Sequence, residues 1–264
     1  MPSALAIAAH PDDIEFVMAG TLLMLRAVGW ETHYVNLSSG NLGSTVMNPV
    51  QTAHTRRREA QASAKALGAK WHAPFCDDLT IFYTEENIRR LCAVVRAASP
   101  TIVLTHALQD YMEDHMIAAR LAVTATFARG IPHYRSLPAR KPVLEPVTIY
   151  HAMPHGQRDP MRQRVTPEAY VNTTTVHAAK RAALACHASQ KEWLDATQGQ
   201  DNYLKTLDGF SLALGRQSRR FQHAEGWRRH QHYGFAAEQD DPLSDALGRD
   251  YLVSAAYRRA LDRG

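Results

Sequence analysis

The chain has only three cysteines, Cys76, Cys92 and Cys186, an odd count with no paired spacing. That argues against a disulfide framework and suits a reducing compartment, so a cytoplasmic location is expected. No run of about 18 apolar residues occurs, so no membrane-spanning helix is expected. The first residues lack the basic and long apolar regions of an export signal, and their apolar side chains are accounted for by a first strand. Charge of one sign is barely in excess: 30 Lys and Arg against 26 Asp and Glu give a net charge of +4, which alone argues for no nucleic-acid partner. No Gly-x-Gly-x-x-Gly follows the first apolar run, so a dinucleotide site would lack its phosphate cradle. There is no internal repeat and no low-complexity tract.

What is present is enough apolar material, 45% of the residues, for one larger domain or a domain with a tail. Strand-like runs at 4–8, 31–37, 70–73, 101–104 and 147–151 alternate with helical patterns at 16–28, 51–67, 85–98 and 117–127. Gly68 closes the second helix and Pro100 follows the third. The reading is a Rossmann-like α/β fold: a doubly wound, mostly parallel sheet of order 3-2-1-4-5, helices on both faces, and a helical C-terminal part. Beyond Gly130 the alternation stops. Residues 131–145 read as a loop or lid, and 174–194 and 203–221 as helices. Arg216, Arg219, Arg220, Arg228 and Arg229 with His230 and His232 read as helix C-terminal charge and a solvated face, or else as a rim for an acidic ligand. The expected organisation is one domain over 1–235, with 236–264 as an extension packed on it or on a neighbouring subunit.

The chemistry gathers in two places. His10, Asp12, Asp13 and Glu15 lie on the turn between the first strand and its helix, where open α/β sheets bind ligands. Pro11 and Asp12 would equally suit a plain first helical turn. The second place, from Thr105 to His115, follows strand four, which flanks strand one at the switch point of such a sheet. His10, Asp13 and His115 then converge on one crevice, and two histidines with one carboxylate and an open position form a catalytic zinc pattern. Of the neighbouring carboxylates, one is available for the metal and the other for moving protons.

The residues Ala9 to Asp13 with Asp114-His115 resemble the LmbE/PIG-L family of zinc-dependent N-deacetylases. The likeness extends to Arg56-Arg57-Arg58-Glu59 and to the stretch from Cys186 to Gln190. It implies one zinc ion held by His10, Asp13 and His115, Asp12 as general base, and Arg56 reaching the substrate. It further implies an N-acylated, sugar-containing small molecule as substrate, with neither nucleic acid nor membrane as partner; a homo-oligomer is also expected. Without the resemblance, Arg56 and Glu59 share a helix face and would simply pair. One departure stands out: many relatives carry a histidine three residues before the second metal histidine, and here Met112 stands there. A thioether cannot donate a hydrogen bond, so His187 is expected to supply the missing donor or acid as a second catalytic residue. His151 and His155 are further candidates for the crevice. A carbohydrate esterase or amidase with the same metal, or a non-catalytic binding protein, are the alternative readings.

Overall fold

A computed structural model describes residues 1–191 and 202–261. Strand β1 (Ser3–Ala8) is buried along its whole length because its two sets of side chains meet two different layers. Ala4, Ala6 and Ala8 pack in the layer of α2 (Ala19–Ala27) and α3 (Pro49–Leu67). Leu5 and Ile7 pack in the layer of α4 (Glu85–Ala98) and α5 (Glu113–Phe127). A strand covered on both faces is written as an unbroken apolar run, which makes it easy to read.

In parallel, β1 pairs with β2 (Glu31–Asn36) on one side and β4 (Ile102–Thr105) on the other. Beyond them lie β3 (Lys70–His72) and β5 (Thr148–Ala152), so this half of the sheet has the expected order 3-2-1-4-5. Local chemistry sets the helix ends. Asn48 and Gln51 form a reciprocal capping box ahead of α3, Pro49 takes its first position, and Gly68 ends it in the left-handed region at φ 65°.

The helix expected over 16–28 is instead two, α1 (Asp13–Val17) and α2, broken at Met18. The break turns the first N–H groups of α2 onto a carboxylate from the far half of the sheet. Gly20 N and Thr21 N donate to Glu225 at 2.8 and 2.7 Å. Only glycine fits at position 20, where a Cβ would lie 2.5 Å from Thr173 Cγ2. Lys180 neutralises Glu225 at 2.7 Å, and both are buried.

The C-terminal part is not all helical. The strands β6 (Ala169–Asn172), β7 (Ala224–Arg229) and β8 (Tyr251–Val253) extend the sheet antiparallel in the order β5-β7-β6-β8. Arg228 and Arg229 therefore sit on a strand and not at a helix end; Arg229 meets Glu168 at 3.5 Å and Arg228 lies over the Tyr257 ring. The helix expected over 174–194 is α6 (His177–Leu184), and its part beyond residue 191 lies outside the described residues. Then come α7 (Asn202–Ser218), α8 (Pro242–Leu247) and α9 (Ala255–Leu261). Leu243, Leu247 and Tyr251 join the same core cluster as Ala4 and Leu22. The 131–145 loop is strapped down: Arg96 donates to the carbonyls of Ile131 and Arg140, and Arg129 to that of Glu145.

Removing one partner of a buried ion pair strands the other, a loss of about 3–5 kcal/mol. Lys180→Met should therefore lower unfolding free energy by about that amount in urea titrations. A loss below about 1 kcal/mol would mean that Glu225 is satisfied by Gly20 and Thr21 alone.

Candidate metal centre

The turn after β1 and the first turn of α5 after β4 lie side by side because β1 and β4 are neighbours. Between them runs a chain of alternating carboxylates and imidazoles. Asp114 Oδ2 meets His10 Nε2 at 3.0 Å, and His10 Nδ1 meets Asp13 Oδ2 at 3.3 Å. On the other side Asp13 Oδ1 is 3.4 Å from His115 Nε2, and His115 Nδ1 is 3.1 Å from Asp110 Oδ1. One nitrogen of each histidine is thus taken by an outer carboxylate, which fixes the ring and its tautomer. The other nitrogens converge on Asp13, and one ligand atom each from His10, Asp13 and His115 fall within 4.8 Å of one another. That donor set fits a divalent ion with open positions left over.

The electrostatics agree. Burial opposes charge on His10, but Asp114 and Asp13 outweigh it and raise its pKa to about 9. Burial opposes His115 likewise, and Asp13 and Asp110 raise it to about 10. Asp13 stays well below the usual carboxylate range despite its burial, chiefly because of His115. The negative potential that holds protons on two imidazoles would equally favour a cation, whose binding displaces those protons. His106, Asp110 and His115 also cluster. There, however, His106 Nε2 already accepts from Ala9 N at 3.0 Å and its ring stacks on His115.

Asp12 stands apart from the ligands. Its backbone is left-handed at φ 106°, uncommon without glycine and a form of strain that gathers at functional sites. Tyr203 Oη donates to its Oδ2 at 2.8 Å, and Arg56 Nη2 lies 3.6 Å away. Burial pushes Asp12 up to about 6, with Arg56 pulling against it. Arg56 is itself buried and donates to the carbonyls of Pro11 and Gly40. It fits because positions 40 and 43 have no side chain: a Cβ at either would come within 2.8 Å of the guanidinium. Glu59 does not pair with Arg56 but accepts from Ser189 N and Oγ, at 2.8 and 2.6 Å.

These groups border a cavity of about 500 Å³, whose walls include Phe16, Leu42, Tyr111, Met112, His155 and Gln190. His187 is not among them. Its ring is fully buried behind Asp12 with Nε2 on Glu15 at 3.1 Å, so it cannot reach a substrate as the expected donor. His151 is also turned away, onto His106 O and His230, and burial lowers it to about 4. His155 does border the cavity, in ring contact with Tyr111 at 5.5 Å. Sequence reasoning gave no role to Asp110, Asp114 or Tyr203. The first two carry a signal, since both come within five residues before His115 in the stretch after strand four. Tyr203 carries none, being 191 residues from the oxygen it bonds.

A doubly wound sheet with a carboxylate-oriented His-Asp-His cluster at its switch point defines an α/β protein with a donor set that could hold a metal ion. Residues 5–126 match the family described as PIG-L: GlcNAc-PI de-N-acetylase. A 4-oxalmesaconate hydratase of Pseudomonas putida is 30% identical over 197 residues, 72% of this chain and 74% of the relative. A diacetylchitobiose deacetylase of Thermococcus kodakarensis is 28% identical over 230 residues, 85% of this chain and 81% of its own. Among solved structures, the 4-carboxy-2-hydroxymuconate hydratase GalB from Pseudomonas putida superposes with a TM-score of 0.74 at 25% identity, covering 91% of this chain and 99% of that one. The chain belongs to the PIG-L family, whose members here differ in activity.

Loss of an outer carboxylate that orients a metal histidine typically lowers metal affinity about 10–100-fold. Asp114→Asn and Asp110→Asn should each do so in competition against a chelator of known affinity. Unchanged affinity in both would remove the outer carboxylates from the account of the site.

Proposed function

We propose that this protein is a zinc-dependent hydrolase that removes an acetyl or other short acyl group from the nitrogen of a small, sugar-containing molecule. The observation that carries the reading is the aim of His10 Nδ1 and His115 Nε2 at Asp13, each ring steadied from behind by Asp114 or Asp110. His10, Asp13 and His115 would hold the ion, one per chain. Such an ion supplies a water whose pKa falls from about 15.7 to about 7 and polarises the amide carbonyl. Asp12 takes the proton from the attacking water and, once protonated, returns it to the departing amine. Tyr203 keeps the Asp12 carboxylate aimed, and Arg56 braces the turn beneath it while facing the substrate. His155 and Tyr111, on the cavity wall, are the groups placed to donate to the substrate where Met112 cannot.

The charge of the cavity supports an uncharged substrate. Its lining carries the three carboxylates of Asp12, Asp13 and Asp78 against the single guanidinium of Arg56. A divalent ion would cancel the excess and leave nothing over for a substrate rich in carboxylates. The second reading, addition of water to an unsaturated acid by the same groups, draws on the hydratase relative. Ester cleavage is the third. The reading also places the protein in the cytoplasm as a homo-oligomer. Among the described residues, no helix is long and apolar enough to cross a membrane.

A panel of N-acetyl sugars, O-acetyl sugars and unsaturated carboxylic acids separates the three readings by release of amine, release of alcohol or loss of ultraviolet absorbance. Amine release should dominate; turnover of the unsaturated acids alone would transfer the assignment to the hydratase.

His115→Ala should lose most bound metal and activity with its circular dichroism unchanged, and full metal content in that variant would exclude His115. Asp12→Asn should keep the metal and lose about 10²–10⁴ in kcat, the usual worth of general base catalysis. Because the base works only when unprotonated, kcat/KM should fall as pH drops through about 6, the Asp12 value, or lower still beside a bound cation. An acidic limb centred above pH 7, or one that survives in Asp12→Asn, would belong to another group.

A further inference from the structure

A second large cavity, of about 810 Å³, opens at the antiparallel edge of the sheet. It lies among β6, β8, the last turn of α7 and α9, and shares no lining residue with the metal cavity. Four arginines from three different parts of the chain border it: Arg164 ahead of β6, Arg216 and Arg219 at the end of α7, and Arg259 on α9. Among the described residues no carboxylate lines this cavity or pairs with any of the four.

Several surface cations of this chain find acids, while others, such as Arg58, Arg120 and Arg162, have no acid partner among the described residues, stand scattered and do not share one cavity. Lys70 meets Glu31 at 2.7 Å, Arg90 meets Glu86 at 2.6 Å and Arg181 meets Asp208 at 3.4 Å. Four guanidiniums around one concavity without a counter-charge repel one another and weaken the compact state. The arrangement gains a purpose only with an anion between them, and the planar guanidinium fork matches phosphate and carboxylate oxygens two at a time.

Shape restricts the anion further. The volume falls within the range of small-molecule sites, about 300–1,000 Å³. The one aromatic ring in the lining, Tyr170, is 5% exposed, so no face is offered for stacking bases as single-stranded nucleic acid requires. The charges line one cavity from a loop, the end of α7 and α9, and no single helix or strand carries all four as a stripe that could track a phosphate backbone.

We propose that this cavity is a binding site for a small polyanion bearing at least two phosphate or carboxylate groups, gripped by Arg164, Arg216, Arg219 and Arg259. It is separate from the metal centre and stands whatever reaction that centre performs. Calorimetric titration of the metal-loaded protein with inorganic pyrophosphate and with tricarballylate tests it and distinguishes the two anion chemistries. At least one probe should bind with a Kd below about 1 mM at low salt, weakening as salt rises. Both probes also chelate metals, so the decisive comparison is with Arg164→Ala/Arg216→Ala, whose metal centre is untouched. That variant should bind about tenfold or more weakly at wild-type metal content. Should it fold poorly, Arg259→Glu on the exposed last helix should weaken binding in the same direction. Absence of binding by both probes, equal affinity in wild type and variants, or stronger binding of an oligonucleotide than of either probe would overturn the proposal.

Discussion

The alternation of Asp114, His10, Asp13, His115 and Asp110 across two loops is the constraint around which the molecule is arranged. Five ionisable side chains in a largely buried place are tolerable only if each faces an opposite partner, since an unpaired buried charge is costly. The pairing requires that the turn after β1 and the first turn of α5 be adjacent, which only the β1–β4 neighbourhood of a doubly wound sheet supplies. Fold and site are therefore one geometric problem. The sheet order sets the spacing at which two imidazoles and a carboxylate share a centre, and the outer carboxylates make that spacing rigid.

The antiparallel half of the sheet serves that centre from behind. Glu225 on β7 caps α2 and is held by Lys180 on α6, while Trp227 donates from the same strand to Thr21. These contacts fix the helix pair after β1, and with it the turn that carries His10, Asp12 and Asp13. Farther along, α6 leads to His187, which is spent on Glu15 in a buried cluster with Tyr34 and Ser63. The network accounts for why His187 cannot swing into the cavity: its reachable nitrogen already serves a carboxylate that has no access to water. Asp12 is one of several non-glycine residues with a left-handed backbone, and its side chain is held by Arg56 and Tyr203.

Much of this was legible in the residues. The parallel strands are buried on both faces, so they appear as continuous apolar runs, and their alternation with helices dictates a doubly wound sheet and its switch point. The convergence of His10, Asp13 and His115 follows from that topology, because each lies at the carboxyl end of one of two neighbouring strands. Arg56 was marked by its likeness to the family and not by the physics of a three-arginine run, most of which is indeed solvated: Arg57 and Arg58 are exposed and only Arg56 is buried.

By itself, then, the sequence determined the parallel half of the sheet and the gathering of His10, Asp13 and His115 at its switch point, since both depend on local patterning and strand order. Tertiary structure alone decided the rest. The strands β6, β7 and β8 are short and mix tyrosine, tryptophan, arginine and glutamate, so no hydrophobic period announces them. Tyr203 reaches Asp12, and Arg164 comes to line the same cavity as Arg259, only through packing of segments distant in the chain. The burial of His187, and the division of duty between adjacent Asp12 and Asp13, rest on side-chain directions that no spacing encodes. A turn places two carboxylates next to each other in sequence, and the left-handed bend at Asp12 points one toward the imidazoles and the other toward Tyr203.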